Sequence, residues 1–204
     1  MSRIDDPAQL TYLIKQNSYI LIAGTDEAGR GALAGPIVAA AIILNPESPI
    51  SGVKDSKKLT PKRREQLYDL IVEQSICYAP GIVSAAKIDQ IGIQAANILA
   101  MEIAISGLSP RPDCVLADWY ENDSFHLPWH GVRDGEAAHQ AIAAASIFAK
   151  VTRDRIMVEL AAQYPEYGFD GHKGYGSEKH MAAIRAHGPS LIHRLSFEPC
   201  RTKL

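Results

Sequence analysis

Residues 19–44 read YILIAGTDEAGRGALAGPIVAAAIIL, and this stretch decides the fold that the sequence predicts. Two apolar runs, residues 19–23 and 36–44, have the length and composition of buried strands. Between them lie two adjacent acids, Asp26 and Glu27, and the tripeptide GRG. We therefore expect two strands that form an antiparallel pair, joined by a loop that carries chemistry.

The acid pair is the first candidate functional feature. Carboxylates that follow a buried strand lose hydration unless a positive charge meets them, and divalent cations prefer oxygen ligands. Neighbouring strand side chains point to opposite faces, so Asp26 and Glu27 converge only if the chain bends, which nearby glycines permit. The alternative is a solvated turn. Gly29, Arg30 and Gly31 favour a site for a phosphate ester, because glycine lets a ligand approach and arginine binds phosphate in a fork.

Composition bounds the class of protein. The chain has 204 residues, of which 47% are apolar, and this length and composition predict one domain. Its net charge of −2 counts against a protein that coats nucleic acid nonspecifically, since such domains are usually basic. No apolar run is long enough to cross a bilayer, and we expect no secretory signal and no membrane partner. Three distant cysteines indicate reduced structural thiols in a cytoplasmic protein. The sequence contains no G-x-x-x-x-G-K-[ST] loop, which counts against a nucleotide-binding phosphotransferase.

Periodicity and end signals predict the remaining elements. We expect helices within residues 1–17, 61–74, 93–105, 137–163 and 177–187, and strands at residues 76–84 and 114–117. Residues 168–176, GFDGHKGYG, contain four glycines and predict a loop that is neither helix nor strand. The basic cluster at residues 54–64 is either a solvated surface or a contact for phosphates.

Further acids follow the same arrangement as the first pair. Asp118 ends the short strand at residues 114–117, and Asp134 and Glu136 precede the long helix. Each is alone explained by a turn or a helix cap. In α/β sheets, however, ligands gather beyond strand ends, so these acids are candidates for one cleft with Asp26 and Glu27. Together they suit two Mg²⁺ or Mn²⁺ ions, which activate water and stabilise the leaving oxygen at phosphorus.

The motifs, taken in order, resemble those of bacterial ribonuclease HII, a type 2 ribonuclease H. The resemblance runs from about residue 19 to residue 197. The segments that carry it are DEAGRGALAGPIVAAAIIL at 26–44, DSKKL at 55–59, IAAASI at 142–147, AKVTRD at 149–154, HKGYGSEKH at 172–180 and HRLSF at 193–197.

This resemblance implies a ribonuclease H-like mixed sheet flanked by helices, with a small C-terminal helical extension. Residues 1–163 would form the catalytic core and residues 164–204 the substrate-binding extension, in one compact unit. The implied activity is hydrolysis of the RNA strand of RNA–DNA hybrids. It includes cutting 5′ of a single ribonucleotide in duplex DNA, which leaves a 3′-hydroxyl. We expect a monomer that uses Mg²⁺ or Mn²⁺.

The resemblance also assigns roles to residues. Asp26, Glu27 and Asp118 match the first three metal-binding catalytic acids. Gly29, Arg30 and Gly31 match the loop that reads the 2′-hydroxyl, the group that distinguishes RNA from DNA. Tyr175 matches the tyrosine that stacks at the RNA–DNA junction, or alternatively packs on its own loop. Lys57 and Lys150 are expected at substrate, Ser146 in helix packing, and residues 193–197 in structure or DNA-backbone contact.

The chain departs from the family pattern at two acids. The third acid, Asp118, is followed by Trp119 and Tyr120 where the family has glycine. The fourth acid is aspartate after glycine in the family, whereas gap-free matching places Glu136 there. Asp134 would require a shift of two residues. Because a misplaced catalytic group weakens catalysis, the alternative function is a weakened module that binds RNA–DNA hybrids.

Overall fold

The computed structural model describes residues 4–53, 59–118 and 125–201. Lys57 and the aromatic pair Trp119 and Tyr120 therefore lie outside the described residues. The strands are β1 (Ile22–Ala28), β2 (Ile37–Leu44), β3 (Ser75–Val83), β4 (Cys114–Asp118) and β5 (Trp129–Val132). They form one mixed sheet in the order β3-β2-β1-β4-β5. β1 pairs with β2 in antiparallel and with β4 in parallel orientation, so the predicted antiparallel pair is confirmed.

Helices lie on both faces of the sheet, which confirms the predicted fold class. In the described part of the chain they are α1 (Pro7–Gln16), α2 (Pro61–Gln74), α3 (Ala85–Ile91), α4 (Ile93–Ser106), α5 (Gly135–Ala138), α6 (Gln140–Gln163), α7 (Phe169–His172) and α8 (Glu178–His187), with a 3-10 turn at Pro165–Tyr167. Within those ranges, none of the helices has the length and apolar character needed to cross a membrane.

Side-chain alternation along β2 divides the core between the two faces. Ala39, Ala41 and Ile43 pack in one apolar cluster with α4, whereas Ala40 and Ile42 pack in a second cluster with α2 and α6. All these β2 positions are buried, which explains why the strand reads as a continuous apolar run. The long alanine-rich helix α6 thus covers the face opposite α4.

The first strand begins later than the sequence pattern predicted. We expected a strand at residues 19–23 that ends before the acids, but β1 continues through Asp26 and Glu27 to Ala28. The amides of Ile20 and Leu21 instead donate to the Asp113 carboxylate, at 2.9 and 2.8 Å, and lie outside the sheet. The register with β2 extends to Ala28, so the antiparallel partner keeps the acids within the strand.

Three further elements differ from the expectation. The predicted helix at 137–163 is two helices, because His139 adopts an extended backbone and its Nδ1 accepts from the Ala141 amide at 3.3 Å. The loop predicted at 168–176 was wrong in part, since it contains the four-residue helix α7. Strand β5 and helix α3 were not predicted. Both are short, at four and seven residues, so their periodicity is weak.

Gly24 sets the distance between the sheet and α6. A Cβ at Gly24 would lie 2.1 Å from the backbone carbon of Ala141, closer than any real contact. The first turn of α6 therefore rests directly on the backbone of β1, two residues before Asp26. This contact fixes α6 relative to the acids of the strand.

Gly24→Ala should lower the free energy of unfolding by roughly 1–3 kcal/mol, the usual range for overpacking. Urea unfolding followed by circular dichroism measures the change. Gly171→Ala is the matched control, because nothing lies within 4 Å of a Cβ at that position. It should change the free energy by less than about 1 kcal/mol. Equal losses in both variants would contradict the close contact of α6 with β1.

Candidate active site

A cavity of about 310 Å³ opens where the parallel strands β1 and β4 end. Their pairing stops at Thr25 and Ala117, while β1 continues beside β2 to Ala28. One edge of β1 is thus left without its parallel neighbour at Asp26 and Glu27. The cavity is lined by Asp26, Glu27, Ala28, Gly29, Arg30, Gly31, Arg64, Asp118, Glu136, Ser146, Lys150 and Tyr175. It brings together the candidate site residues except Asp134, which does not line it, and Lys57, which lies outside the described residues.

Asp26 is the most deeply placed acid of the cavity, with 8% of its surface exposed. Burial raises the pKa of its carboxyl well above the usual value, and the negative charges of Glu27 and Glu136 raise it further. A hydrogen bond from the Ser146 side chain opposes this increase. Ser146, expected only to pack, therefore also contacts an acid of the site. A cation bound beside Asp26 would favour its ionised form.

Asp118 and Glu136 are linked through the backbone of the residue before Glu136. The Gly135 amide donates to Asp118 Oδ1 at 2.7 Å, and α5 begins at this glycine. Glu136 follows and lines the cavity. Asp134 lies elsewhere, with 82% of its side chain exposed and Arg133 Nε 4.0 Å from its Oδ2. The geometry brings Glu136, and not Asp134, to the other three acids.

The chemistry of this donor set fits a divalent cation. Four carboxylates line one cavity, and oxygen is the ligand that Mg²⁺ and Mn²⁺ prefer. In the described ranges, no three Asp, Glu, His or Cys side chains are grouped so as to hold a metal ion by themselves.

The Gly-Arg-Gly loop forms one wall of the cavity. Gly29 has a φ of +91°, and a Cβ there would collide with the side chain of Arg153, whereas nothing lies within 4 Å of a Cβ at Gly31. Arg30 Nη2 donates to Gln94 Oε1 at 2.9 Å, and Arg30 Nη1 lies 3.8 Å from Glu27 Oε1. Gln94, on α4, is a contact that sequence reasoning missed, because nothing in the local pattern marks it.

Tyr175 forms the opposite wall. Its side chain is partly exposed, and its ring centroid lies 5.6 Å from Lys150 Nζ and 5.2 Å from Arg153 Cζ. Lys150 also donates to Asp154 Oδ1 at 2.7 Å. The Tyr175 ring therefore lies at the cavity, in contact with the positively charged side chains of Lys150 and Arg153, and does not pack only on its own loop.

Two buried arginines hold these walls, and sequence reasoning missed this role. Arg153, on α6, donates to the carbonyl oxygens of Pro36, Lys173 and Ala34 at 2.9 to 3.1 Å. Its position four residues before buried Met157 on one helix face was the available signal. Burial lowers the pKa of the Arg153 guanidinium, although the group keeps its charge near neutral pH.

Arg194 is the second of these arginines. Its side chain donates to the carbonyl oxygen of Gly35 at 3.1 and 3.0 Å and to that of Arg30 at 2.9 Å. Burial, followed by the charge of Arg153, lowers the pKa of Arg194 to about 9. The guanidinium is fully buried against these carbonyl oxygens, so it holds the backbone at Arg30 and Gly35 in place.

A larger cavity of about 680 Å³ adjoins the first. Arg64, Lys150 and Tyr175 line both cavities. The larger one runs between α2, α6 and the segment around α7. Its charges are mixed, and Arg155 Nη2 lies 2.5 Å from Glu65 Oε2. The two cavities together form a groove that leads away from the carboxylates.

The fold is similar to that of the ribonuclease H2 from Pyrococcus horikoshii OT3. The TM-score is 0.76 at 28% identity, and the match covers 89% of this chain and 96% of that chain. A mixed sheet of this topology with acids at the ends of β1 and β4 defines a ribonuclease H-like protein.

Sequence comparison narrows this class to one family. The family model for Ribonuclease HII matches residues 23–200. Ribonuclease HII of Desulfitobacterium hafniense is 51% identical over 188 residues, which are 92% of this chain and 72% of that relative. Ribonuclease HII of Nitrosococcus oceani is 52% identical over 180 residues, which are 88% of this chain and 90% of that relative. The chain belongs to the ribonuclease HII family, and it is an enzyme, a nuclease of the hydrolase class.

Arg153→Lys should lower the free energy of unfolding by roughly 2–4 kcal/mol, because the three carbonyl oxygens are bound by three separate nitrogens of the guanidinium, and the single nitrogen of an ammonium group cannot reach all three. Guanidinium unfolding measures the loss. Arg155→Lys, two residues along α6 and about half exposed, is the matched control. Its exposed pair with Glu65 predicts a change below about 1 kcal/mol. A similar effect of both substitutions would show that Arg153 does not hold the walls of the site.

Proposed function

We propose that this enzyme cuts RNA in RNA–DNA hybrids and also cuts 5′ of single ribonucleotides embedded in duplex DNA. Water attacks phosphorus in line, leaving a 3′-hydroxyl and a 5′-phosphate, and Mg²⁺ or Mn²⁺ is the cofactor. One observation carries the proposal. A single cavity holds four carboxylates, the loop formed by Gly29, Arg30 and Gly31, and the ring of Tyr175.

The four acids would hold the divalent cations. Bound at Asp26, Glu27, Asp118 and Glu136, the cations would supply the activated water and the positive charge that stabilises the leaving oxygen. The chain's own residues orient the acids for this task. The Ser146 side chain binds the Asp26 carboxylate, and the Gly135 amide binds Asp118 Oδ1 at 2.7 Å.

The loop at residues 29–31 is suited to read the ribose. Gly31 faces open space, so a sugar can approach its backbone without meeting a side chain. The carbonyl oxygen of Arg30 is held by Arg194 at 2.9 Å, and the Arg30 guanidinium by Gln94 at 2.9 Å. A loop fixed at both points can test for a 2′-hydroxyl, which only the ribonucleotide carries.

The groove gives the duplex its path beyond the cut. We infer that residues 164–204 act as the substrate-binding extension to the core at residues 1–163. Tyr175 from the extension meets Lys150 and Arg64 from the core where the two cavities join. Because Lys150 is paired with Asp154, a phosphate must compete with that carboxylate for the ammonium group. Lys150 therefore contributes most where the duplex excludes water.

The decisive experiment uses duplex DNA that carries one ribonucleotide, labelled at its 5′ end. With Mg²⁺, and separately with Mn²⁺, we expect a single cut on the 5′ side of the ribonucleotide, which EDTA abolishes. No cut with either metal, together with tight binding of a hybrid, would reject the nuclease proposal. That result would support the alternative, a weakened hybrid-binding module in which Glu136 is the altered acid.

Separate substitutions of Glu136 and Asp134 test which of them is the fourth carboxylate. Glu136→Gln should lower kcat by about 100-fold or more, because a catalytic ligand is lost from the cavity. Asp134→Asn should leave kcat unchanged, since this side chain is 82% exposed outside the cavity. Single-turnover cleavage of the same duplex gives both rates. A larger loss for Asp134→Asn would transfer the role to that residue.

Tyr175→Ala should reduce cleavage at a single ribonucleotide more than cleavage of a continuous RNA–DNA hybrid. The reason is that a stacked ring recognises one junction, whereas a hybrid offers 2′-hydroxyls at every step. The ratio of kcat/KM for the two substrates measures the effect. Equal losses on both substrates would mean that the Tyr175 ring supports the fold and does not read the junction.

A further inference from the structure

Three histidines lie together beneath the segment that carries Tyr175. His172 ends α7, His180 lies in α8, and His193 follows α8 in the chain. The rings of His172 and His180 stack with centroids 4.4 Å apart and 13° between their planes. His180 and His193 are fully buried, at 0% and 1% exposure. None of these side chains lines the carboxylate cavity.

The hydrogen bonds of these rings fix where each proton lies. His180 Nδ1 is 2.9 Å from the carbonyl oxygen of Tyr175, which only accepts, so Nδ1 carries the hydrogen. In the neutral ring, His180 Nε2 is then an acceptor. His193 Nε2 lies 3.0 Å from it and must donate. His193 Nδ1 in turn accepts from the amide and the hydroxyl of Ser190, at 2.9 and 2.8 Å.

His172 satisfies the same rule by a separate route. Its Nδ1 accepts from the Gly174 amide at 3.2 Å, and its Nε2 donates to the carbonyl oxygen of Tyr167 at 2.8 Å. The hydrogen bonds of all three rings therefore fit one consistent tautomeric arrangement. Burial lowers the pKa of His180, and burial with the charge of His180 lowers the pKa of His193 to about 4. A proton added to His180 Nε2 would place two donors, on His180 and His193, against each other. This histidine pair therefore has one protonation state near neutral pH.

This arrangement meets the backbone at Tyr175. The Tyr175 amide donates to the carbonyl oxygen of His172 at 3.0 Å, and the Tyr175 carbonyl accepts from both His180 and the Ser177 amide, the latter at 2.8 Å. The preceding residue, Gly174, accepts from the Leu33 amide at 2.8 Å. The peptide groups on both sides of the tyrosine are thus fixed before any substrate arrives.

We propose that His180, supported by His193, is a positioning residue that sets the orientation of the Tyr175 ring through the Tyr175 carbonyl. The inference rests on the proposed function, in which Tyr175 contacts the substrate. His180 touches neither the cavity nor the ring, and it acts through the backbone alone. Ser190 supports this arrangement, because it donates to His193 Nδ1 and so leaves the hydrogen of His193 on Nε2. From there His193 donates to His180 Nε2.

Two substitutions separate this role from simple packing. In His180→Asn the amide nitrogen occupies the place of Nδ1 and keeps the bond to Tyr175. In His180→Gln it reaches toward the place of Nε2 and loses that bond. His180→Gln should lower kcat/KM on the single-ribonucleotide duplex by about tenfold or more. His180→Asn should retain most of the wild-type kcat/KM. His187→Asn, at the exposed end of the same helix, is the control and should have no effect.

The variants are repeated in a Tyr175→Ala background. If His180 acts through the tyrosine, His180→Gln should add no further loss there, because the two changes remove one interaction. Equal losses in His180→Asn and His180→Gln, or a full additional loss in the Tyr175→Ala background, would overturn the inference. Thermal unfolding of each variant confirms that the comparison is made on folded protein.

A measurement without turnover tests the inference independently of the proposed function. Nitrogen-15 spectra of the histidine rings should show His180 protonated at Nδ1, His172 and His193 protonated at Nε2, and no titration of His180 and His193 between about pH 6 and 8. In His180→Gln, and not in His180→Asn, the Tyr175 resonances should shift. Another tautomer of His180, or unshifted Tyr175 resonances, would reject the positioning role. Absence of cleavage by the wild-type chain with these spectra as expected would reject only the proposed function.

Discussion

Like charges repel when they are held together away from water, and the site concentrates four carboxylates around a cavity of about 310 Å³. The elements next to the cavity answer this constraint. Asp26 is buried and carries the raised pKa, and the Ser146 side chain reaches it from α6. Asp118 is bound by the Gly135 amide at the start of α5. The close contact of α6 with Gly24 brings these elements within reach, so sheet, helix and acids are positioned together.

The same helix also holds the segment around Lys173 next to residues 34–36. Arg153 lies two turns beyond Ser146 on α6 and binds carbonyl oxygens on both sides of the groove, those of Ala34, Pro36 and Lys173. Arg194, near the C-terminus, likewise binds the carbonyl oxygens of Gly35 and Arg30. Guanidinium groups suit this task because their donors lie in a rigid plane that can serve several carbonyl oxygens at once. The Gly-Arg-Gly loop and the Tyr175 segment are consequently held at a fixed separation.

Much of the fold could be predicted from the sequence because its central strands are buried on both faces. The apolar run of β2 and the acids that follow apolar runs in β1 and β4 indicated a sheet with a functional edge. The start of β1 was misplaced because the apolar residues Ile20 and Leu21 bind Asp113 and not a strand, a long-range contact that no local pattern contains. Strand β5 has four residues, and its pairing with β4 depends on the folded sheet.

The candidate site divides in the same way. The acids and the glycines became candidates through their residue types and positions, and Tyr175 became one through the resemblance of its motif to one family. The supporting contacts were missed where the residue type suggested something else. Arg153 and Arg194 are cations that the sequence pattern places at a surface, yet both are fully buried. His180 and His193 likewise form a hydrogen-bonded pair only after α8 and the following turn have folded.

Glu136 shows how the backbone decides an ambiguity that the sequence left open. A Cβ at Gly135 would lie 2.9 Å from Asp118 Oδ1, so glycine at this position lets the amide approach that oxygen closely. Asp134, on one side of it, has a left-handed backbone with φ of 49° and turns to solvent, while the residue on the other side enters α5 and faces the cavity. The backbone on the two sides of Gly135 therefore brings Glu136, and not Asp134, to the cavity. Glutamate is one methylene longer than aspartate, and its additional torsion leaves the carboxylate less constrained than those of Asp26 and Asp118. In the proposed reaction, the cations and the scissile phosphate would contribute to its final placement, because the substrate shares the coordination of such sites.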